Sequence, residues 1–200
     1  DDVKAVLPPA NRKESLTSVT LGVGDDIKAE LSLRRLAPNT TFVGADPILE
    51  SGRVFRRIGR FYQAAVGDED GIKNISVMVD NEYRWQPQET VTLNGFLFDK
   101  LKLPLVDFLF MDVEGMEYQL LPQMTKQRLG GTVCQVNVEL HGPLSDYHSN
   151  VHHFARVVKD FLTTGGFLPL WIPPPTMHHR MALIDWTSTP CVERFVKEWC

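Results

Sequence analysis

Short apolar runs of strand length alternate along this chain with stretches in which apolar residues recur every three or four positions. That alternation predicts a parallel sheet covered by helices. The first strand is read at Ser18 to Leu21, followed by a loop at Gly22 to Asp26 and a helix from about Ile27 that stops before Pro38-Asn39. A second strand, Thr41 to Ala45, ends at Asp46-Pro47. A helix near Leu49 to Ile58 and a third strand at Phe61 to Val66 come next, the strand closing on the turn Gly67 to Gly71. Residues 72–90 break the pattern, and their Asn, Pro and Trp content predicts an irregular surface excursion, hairpin or lid.

A short strand at Val91 to Leu93 and a helix at Phe96 to Leu101 lead into Leu105 to Met111, a nearly unbroken apolar run expected of a central strand buried on both faces. A fifth main strand, Val133 to Leu140, ends at His141-Gly142. Val151, Phe154, Ala155, Val158, Phe161 and Leu162 then fall on one side of a helix that Gly165-Gly166 stops. Phe167 to Ile172 and Met181 to Trp186 read as two last strands joined closely enough to be antiparallel. The expected architecture is α/β: a Rossmann-like, doubly wound, mostly parallel seven-stranded sheet with an antiparallel hairpin at its C-terminal edge. The 200 residues fit a single domain, with 1–17 as an N-terminal extension.

The balance of 21 basic against 25 acidic residues, net −4, argues against a surface built for nucleic acid. No apolar stretch is long enough to span a membrane, and Asp1-Asp2 is unlike the start of a signal peptide. Of the three cysteines, Cys134 lies in an apolar run where a buried free thiol is usual, while Cys191 and Cys200 can pair with each other. The sequons Asn39-Thr40-Thr41 and Asn74-Ile75-Ser76 suit a secretory protein, so both cytoplasm and secretory pathway stay open as compartments. Nothing in the residues specifies an oligomeric state.

In open α/β sheets the ligand lies beyond the C-terminal ends of the strands, so residues just after strands are the candidates. Gly22-Val23-Gly24 follows the first strand, and Asp46 ends the second strand 22 residues after Gly24, about the spacing at which an acid meets a ribose diol. Asp46 also suits an Asx turn before Pro47. Ile27 stands where a dinucleotide site wants a third glycine, which disfavours NAD. The segment Val106-Asp107-Phe108-Leu109-Phe110-Met111-Asp112-Val113-Glu114-Gly115-Met116-Glu117 resembles the signature of the FkbM-type methyltransferases, in which a central strand delivers an Asp-x-Glu-Gly-x-Glu turn into a helix. Phe42 to Pro47, Ala64 to Asp68 with Gly71, and Val138 to His141 extend the similarity in the family's order.

The resemblance implies a class I methyltransferase fold, S-adenosyl-L-methionine as cofactor, and O-methylation of a sugar, glycan or other small hydroxylated acceptor, without a required metal. The expected cofactor residues are Gly22, Val23, Gly24, Asp25, Asp46, Pro47, Ala65, Val66 and Asp112. Glu114, Glu117, Glu139 and His141 are the candidate catalytic bases, each following a strand at the ligand edge. Glu114 and Glu117 also suit a helix N-terminus, and Asp112, Glu114, Glu139 and His141 together would suit a divalent metal if they converge. The chain departs from the family at its first loop, where Thr20 replaces the usual acid, and Gly24 and Asp26 replace the usual Asn and Gly. A scaffold domain that kept the fold is therefore one alternative, and an NAD-dependent oxidoreductase is another.

Overall fold

In the computed structural model, which describes residues 3–79, 82–124, 129–142, 151–174 and 178–199, the apolar runs become two sheets. The strands are β1 (Leu16–Leu21), β2 (Thr40–Asp46), β3 (Arg60–Gln63), β4 (Ala65–Gly67), β5 (Gly71–Val79), β6 (Glu82–Thr92), β7 (Leu105–Met111), β8 (Thr132–Leu140), β9 (Phe167–Trp171) and β10 (His179–Asp185). Seven form the main sheet in the order β3-β2-β1-β7-β8-β10-β9. The first five in that order run parallel, and β10 pairs antiparallel with both β8 and β9. This is the doubly wound sheet with an antiparallel C-terminal edge that the sequence pattern predicts.

Val106 to Met111 are buried to within 2% of full burial because β7 is flanked by strands on both edges and covered on both faces. Leu109 and Met111 face one layer with Val19, Val43 and Val136, under the helical segments Gly95–Lys100, α3 (Glu117–Leu120) and α4 (Val151–Thr164). Phe108 and Phe110 face the other, against α1 (Lys28–Leu36), α2 (Gly52–Phe55), α5 (Thr189–Cys191) and the helical turns that follow it through Phe195. The N-terminal extension is strapped beside β8. Asn137 and Gln135 each exchange two hydrogen bonds of 2.8 to 3.0 Å with the backbone of Ala5 and Leu7, which satisfies two amides buried in the sheet.

Several elements differ from the expectation. The single third strand is two, β3 in the main sheet and β4 in a separate three-stranded sheet, β4-β6-β5, because the chain turns at Ala64, whose N–H donates to Asp46 O. The helix expected over Leu49 to Ile58 is helical only at Gly52–Phe55, with hydrogen-bonded turns on either side. Of the alternatives for residues 72–90 the hairpin is the one found, and it is regular, with β5 and β6 paired from Gly71–Thr90 to Val79–Glu82, while Val91 belongs to its second strand. Its Ile75 and Val77 pack with Ala65, Ile48 and Met116, an apolar footing that the polar flanks conceal in sequence.

The cysteine expectation is corrected. Cys134 is no free thiol: it is bonded to Cys191, 57 residues away, with their Cα atoms 5.1 Å apart and both side chains fully buried. The bond ties β8 to α5 inside the Phe108–Phe195 cluster, so Cys191 is unavailable to Cys200, which lies outside the described residues. Closing a loop of that length stabilises the fold by about 4 kcal/mol on chain-entropy grounds. Beside it Asp107, 1% exposed, accepts from Arg194 Nη1 at 2.6 Å and from the Thr17 N–H at 2.7 Å, a second link between the C-terminal turns and the sheet.

Candidate active site

β1 lies between β2 and β7, so the strand order reverses at its tip, and a crevice opens there. The three tips are bonded together beyond the strands themselves: the Gly22 N–H donates to Ala45 O and the Asp112 N–H donates to Leu21 O, both at 2.9 Å. Gly22 has φ +77°, and a Cβ on it would come within 1.6 Å of the Asp112 carbonyl oxygen. Glycine is what lets the β1 and β7 tips touch.

The crevice is a cavity of about 1080 Å³, the size of small-molecule sites. Gly22, Val23, Gly24 and Asp25 line it from the first loop, Asp46 and Pro47 from the tip of β2, Ala65 and Val66 from β4, and Asp112 and Glu114 from the loop after β7. Of the four candidate bases, Glu114 lines the cavity; Glu117, Glu139 and His141 stand behind it. Seven carboxylates border the space, from Asp25, Asp26, Glu30, Asp46, Glu50, Asp112 and Glu114, against the two lysines Lys4 and Lys28. Such a rim suits a cation and opposes a pyrophosphate.

Asp46 is a brace as well as a wall. Its Oδ2 accepts the Val23 and Gly24 N–H groups at 3.0 and 3.3 Å, and its Oδ1 closes an Asx turn on the Ile48 N–H at 2.7 Å. Burial pushes its carboxyl above the usual range, against the pull of those N–H donors. On the facing side Thr20 Oγ1 donates to Glu30 Oε1 at 2.7 Å, with both residues nearly buried. Burial raises the Glu30 carboxyl too. Glu30 was missed from sequence because it sits in the first turn of α1, where an acid looks like an ordinary partner of the helix dipole. It carries a carboxylate to the place beside β1 that Thr20 leaves neutral.

At the β7 end the side chains hold one another. Glu117, fully buried, accepts the Val113 N–H at 2.8 Å and the Gly115 N–H at 3.0 Å, and its Oε1 lies 3.0 Å from His141 Nδ1. His141 Nε2 is 3.1 Å from Glu114 Oε2 and 3.6 Å from Asp112 Oδ1. Glu114, in the left-handed region at φ +52°, also accepts from Tyr83 Oη at 2.6 Å. Tyr83 belongs to the hairpin and was not anticipated. Glu139 is engaged by Arg180 through two bonds of 2.8 and 2.9 Å.

These contacts set the protonation states. Burial would lower the His141 imidazole, but hydrogen bonds to Glu114 and Glu117 outweigh it and push it up to about 11, so it is an imidazolium at neutral pH. Burial raises Asp112 from 3.8 to about 7, opposed by the charges of Lys4 and His141 and assisted by those of Glu139 and Glu114. Glu114 is held below its ordinary value: burial works against this, but its bonds from His141 and Tyr83 prevail. Asp112, Glu114 and His141, and likewise Glu139, His141 and His178, could each bring three ligand atoms within 4.8 Å of one another around a metal ion. With His141 charged, each group already contains its own cation.

A mostly parallel sheet ending in an antiparallel pair, with an acid-rimmed cavity where its strand order reverses, defines a class I methyltransferase that takes its methyl group from S-adenosylmethionine. The chain belongs to the FkbM methyltransferase family: a sequence model of the methyltransferase FkbM domain matches residues 2–167. That membership sets aside the oxidoreductase alternative. No curated protein matches the chain. Among solved structures, the Methanococcus jannaschii fibrillarin pre-rRNA processing protein is similar in fold, with 14% identity and a TM-score of 0.51 over 90% of this chain and 69% of that one. A putative rRNA-methylase from Clostridium thermocellum has 13% identity and a TM-score of 0.47 over 86% and 87% of the two chains. TrmK from M. capricolum, in complex with S-adenosylhomocysteine, has 9% identity and a TM-score of 0.45 over 87% and 64%. At these identities the likeness is one of fold.

Proposed function

We propose that this methyltransferase acts on a hydroxyl oxygen of a sugar, glycan or other small hydroxylated molecule, with Asp112 as the group that takes up the hydroxyl proton. The observation that carries it is Asp112 itself, which directly follows the central strand, borders the cavity and has a carboxyl poised at about 7. Near neutral pH such a group can receive a proton in the transition state and return it to water afterwards. His141, already protonated, and Glu139, engaged by Arg180, are less suited to that task. Glu117 is a positioning residue: it grips the backbone on both sides of Glu114 and orients His141.

The cavity's chemistry fits the cofactor. The apolar wall of Ile48, Ala65, Val66, Ile75 and Met116 offers a face for an adenine ring. Asp46, at the tip of β2, is placed to receive a ribose diol, and Glu30 to receive the methionyl ammonium. When bound, S-adenosylmethionine supplies an electrophilic methyl carried on a cationic sulfur, which the carboxylate rim favours. Ser76, Met78 and Tyr83 of the hairpin line the same cavity and are the nearest candidates for touching an acceptor. Holding the acceptor oxygen in line with the methyl supplies much of the acceleration.

The test is transfer of isotopically labelled methyl to a panel of glycans and small polyols, with the product bond identified by NMR. An alkali-stable methyl ether supports the proposal. Label on nitrogen, or in an alkali-labile ester, overturns it.

A further inference from the structure

We infer that this protein folds in an oxidising lumen, where Cys134 and Cys191 are joined and Asn39 and Asn74 serve as acceptors of N-linked glycan. Two independent observations meet here. The first is the cross-link: two fully buried cysteines joined inside the apolar cluster that seats the C-terminal turns. A bond of that kind is structural, with no access for a substrate or a resolving thiol. Structural disulfides belong to secreted and lumenal proteins, since glutathione and thioredoxin keep cytosolic thiols reduced.

The second is the exposure of both acceptor asparagines, Asn39 and Asn74, which the disulfide does not require. Asn39 and Thr41 are exposed where the turn after α1 enters β2, at the end of that strand opposite Asp46 and the cavity. A glycan at Asn39 therefore leaves the cavity open. Asn74 is exposed on β5, and alternation along the strand turns it away from Ile75, which packs on the body of the domain. An oligosaccharide on either asparagine displaces no core contact. Motif and exposure together are what attachment of a bulky, solvating group needs.

The test uses the whole chain in cultured animal cells, made behind a cleavable signal peptide in one arm and in the cytosol in the other. Free thiols are alkylated before unfolding, peptides are mapped without reduction, and glycans are removed by an amidase that leaves aspartate at each occupied site. The expected result for the lumenal arm is a linked Cys134–Cys191 peptide and aspartate at both 39 and 74. N39Q and T41A should each remove one mobility step and N74Q another. Cytosolic protein should carry both thiols reduced and melt several degrees lower, regaining the difference on oxidation. Secreted, folded protein with neither asparagine occupied overturns the inference, as does reduced cytosolic protein that melts at the same temperature as the oxidised form.

Discussion

The β1–β2 end of the cavity is walled by the loop that Asp46 braces, a buried Thr20–Glu30 pair and apolar side chains, whereas the β7–β8 end is walled by the carboxylates of Asp112 and Glu114, held from behind by the His141 imidazole. The first end is shaped by where the chain can turn. Gly22 and the Asp46 brace leave its geometry to main-chain sterics, so it should respond to substitution mainly through binding and stability. The second is shaped by charge: Glu117 orients His141, His141 and Tyr83 hold Glu114, and burial keeps Asp112 near neutrality. It should respond through turnover. The division matches what the two parts of the proposed reaction need, a fixed seat for the cofactor and a tuned proton acceptor for a hydroxyl.

The largest effect is expected at Asp112. Asp112→Asn should lower kcat by roughly 10²- to 10⁴-fold, the usual share of a positioned base, while calorimetry finds S-adenosylhomocysteine bound within a few-fold of wild type. Wild-type kcat should rise with pH through about 7, as Asp112 loses its proton, and the variant should lack that limb. The stability sign is opposite. A carboxyl raised from 3.8 to about 7 favours the folded state below 3.8, and the advantage is lost as pH climbs through 7, so thermal scans over that window should slope downward more in wild type than in the variant. Equal loss of cofactor affinity and turnover would put Asp112 at the cofactor end instead.

Gly22→Ala comes next. A methyl group 1.6 Å from the Asp112 carbonyl oxygen, at φ +77°, forces the β1 and β7 tips apart. A cost of about 3 kcal/mol or more in denaturant unfolding is expected, with cofactor binding lost in whatever still folds. Gly24→Ala is the internal comparison: its φ is also positive, at +59°, but a Cβ there meets nothing within 4 Å, so it should cost only the backbone strain of about 1 kcal/mol. If the two variants unfold alike, contact between the tips is not what Gly22 secures.

The same contrast explains what could be read from the residues in advance. Strand runs such as Leu105 to Met111 and the loop after β1 are local in origin, so their pattern carries them. The Asp112-to-Glu117 turn is visible as a motif, but its wiring is not, because His141 arrives from β8 and Tyr83 from the hairpin. Glu30 hid behind ordinary helix chemistry. Cys191 is bonded to a partner 57 residues away, Cys134, whereas sequence proximity favoured Cys200 as its partner. The hairpin's footing, Ile75 and Val77 on Ala65, is likewise a contact between segments, and local composition gave it no sign.

Glu30→Gln should have a moderate effect, because the amide keeps the Thr20 hydrogen bond and loses the charge. If Glu30 meets the methionyl ammonium, the dissociation constant for S-adenosylhomocysteine should rise about tenfold, the worth of a charge-assisted bond. Removal of the cofactor's amino group should then cost the variant little while costing wild type the same tenfold. A variant that still distinguishes the two ligands would return that role to another residue.

The smallest expected effect is that of a chelator, and it decides what the β7–β8 end is. Asp112, Glu114 and His141 are close enough to share a divalent ion, yet the imidazolium of His141 already lies between carboxylates as their counter-charge. A metal would need Nε2 as a lone pair and would have to displace a proton held up to about 11. Dialysis against EDTA should therefore leave kcat and KM unchanged, and added magnesium or manganese should restore nothing because nothing was lost. If chelation stops turnover and one of those ions rescues it, Asp112 is a ligand rather than a base. The pH limb near 7 would then belong to metal-bound oxygen, and both ends of the cavity would be binding sites.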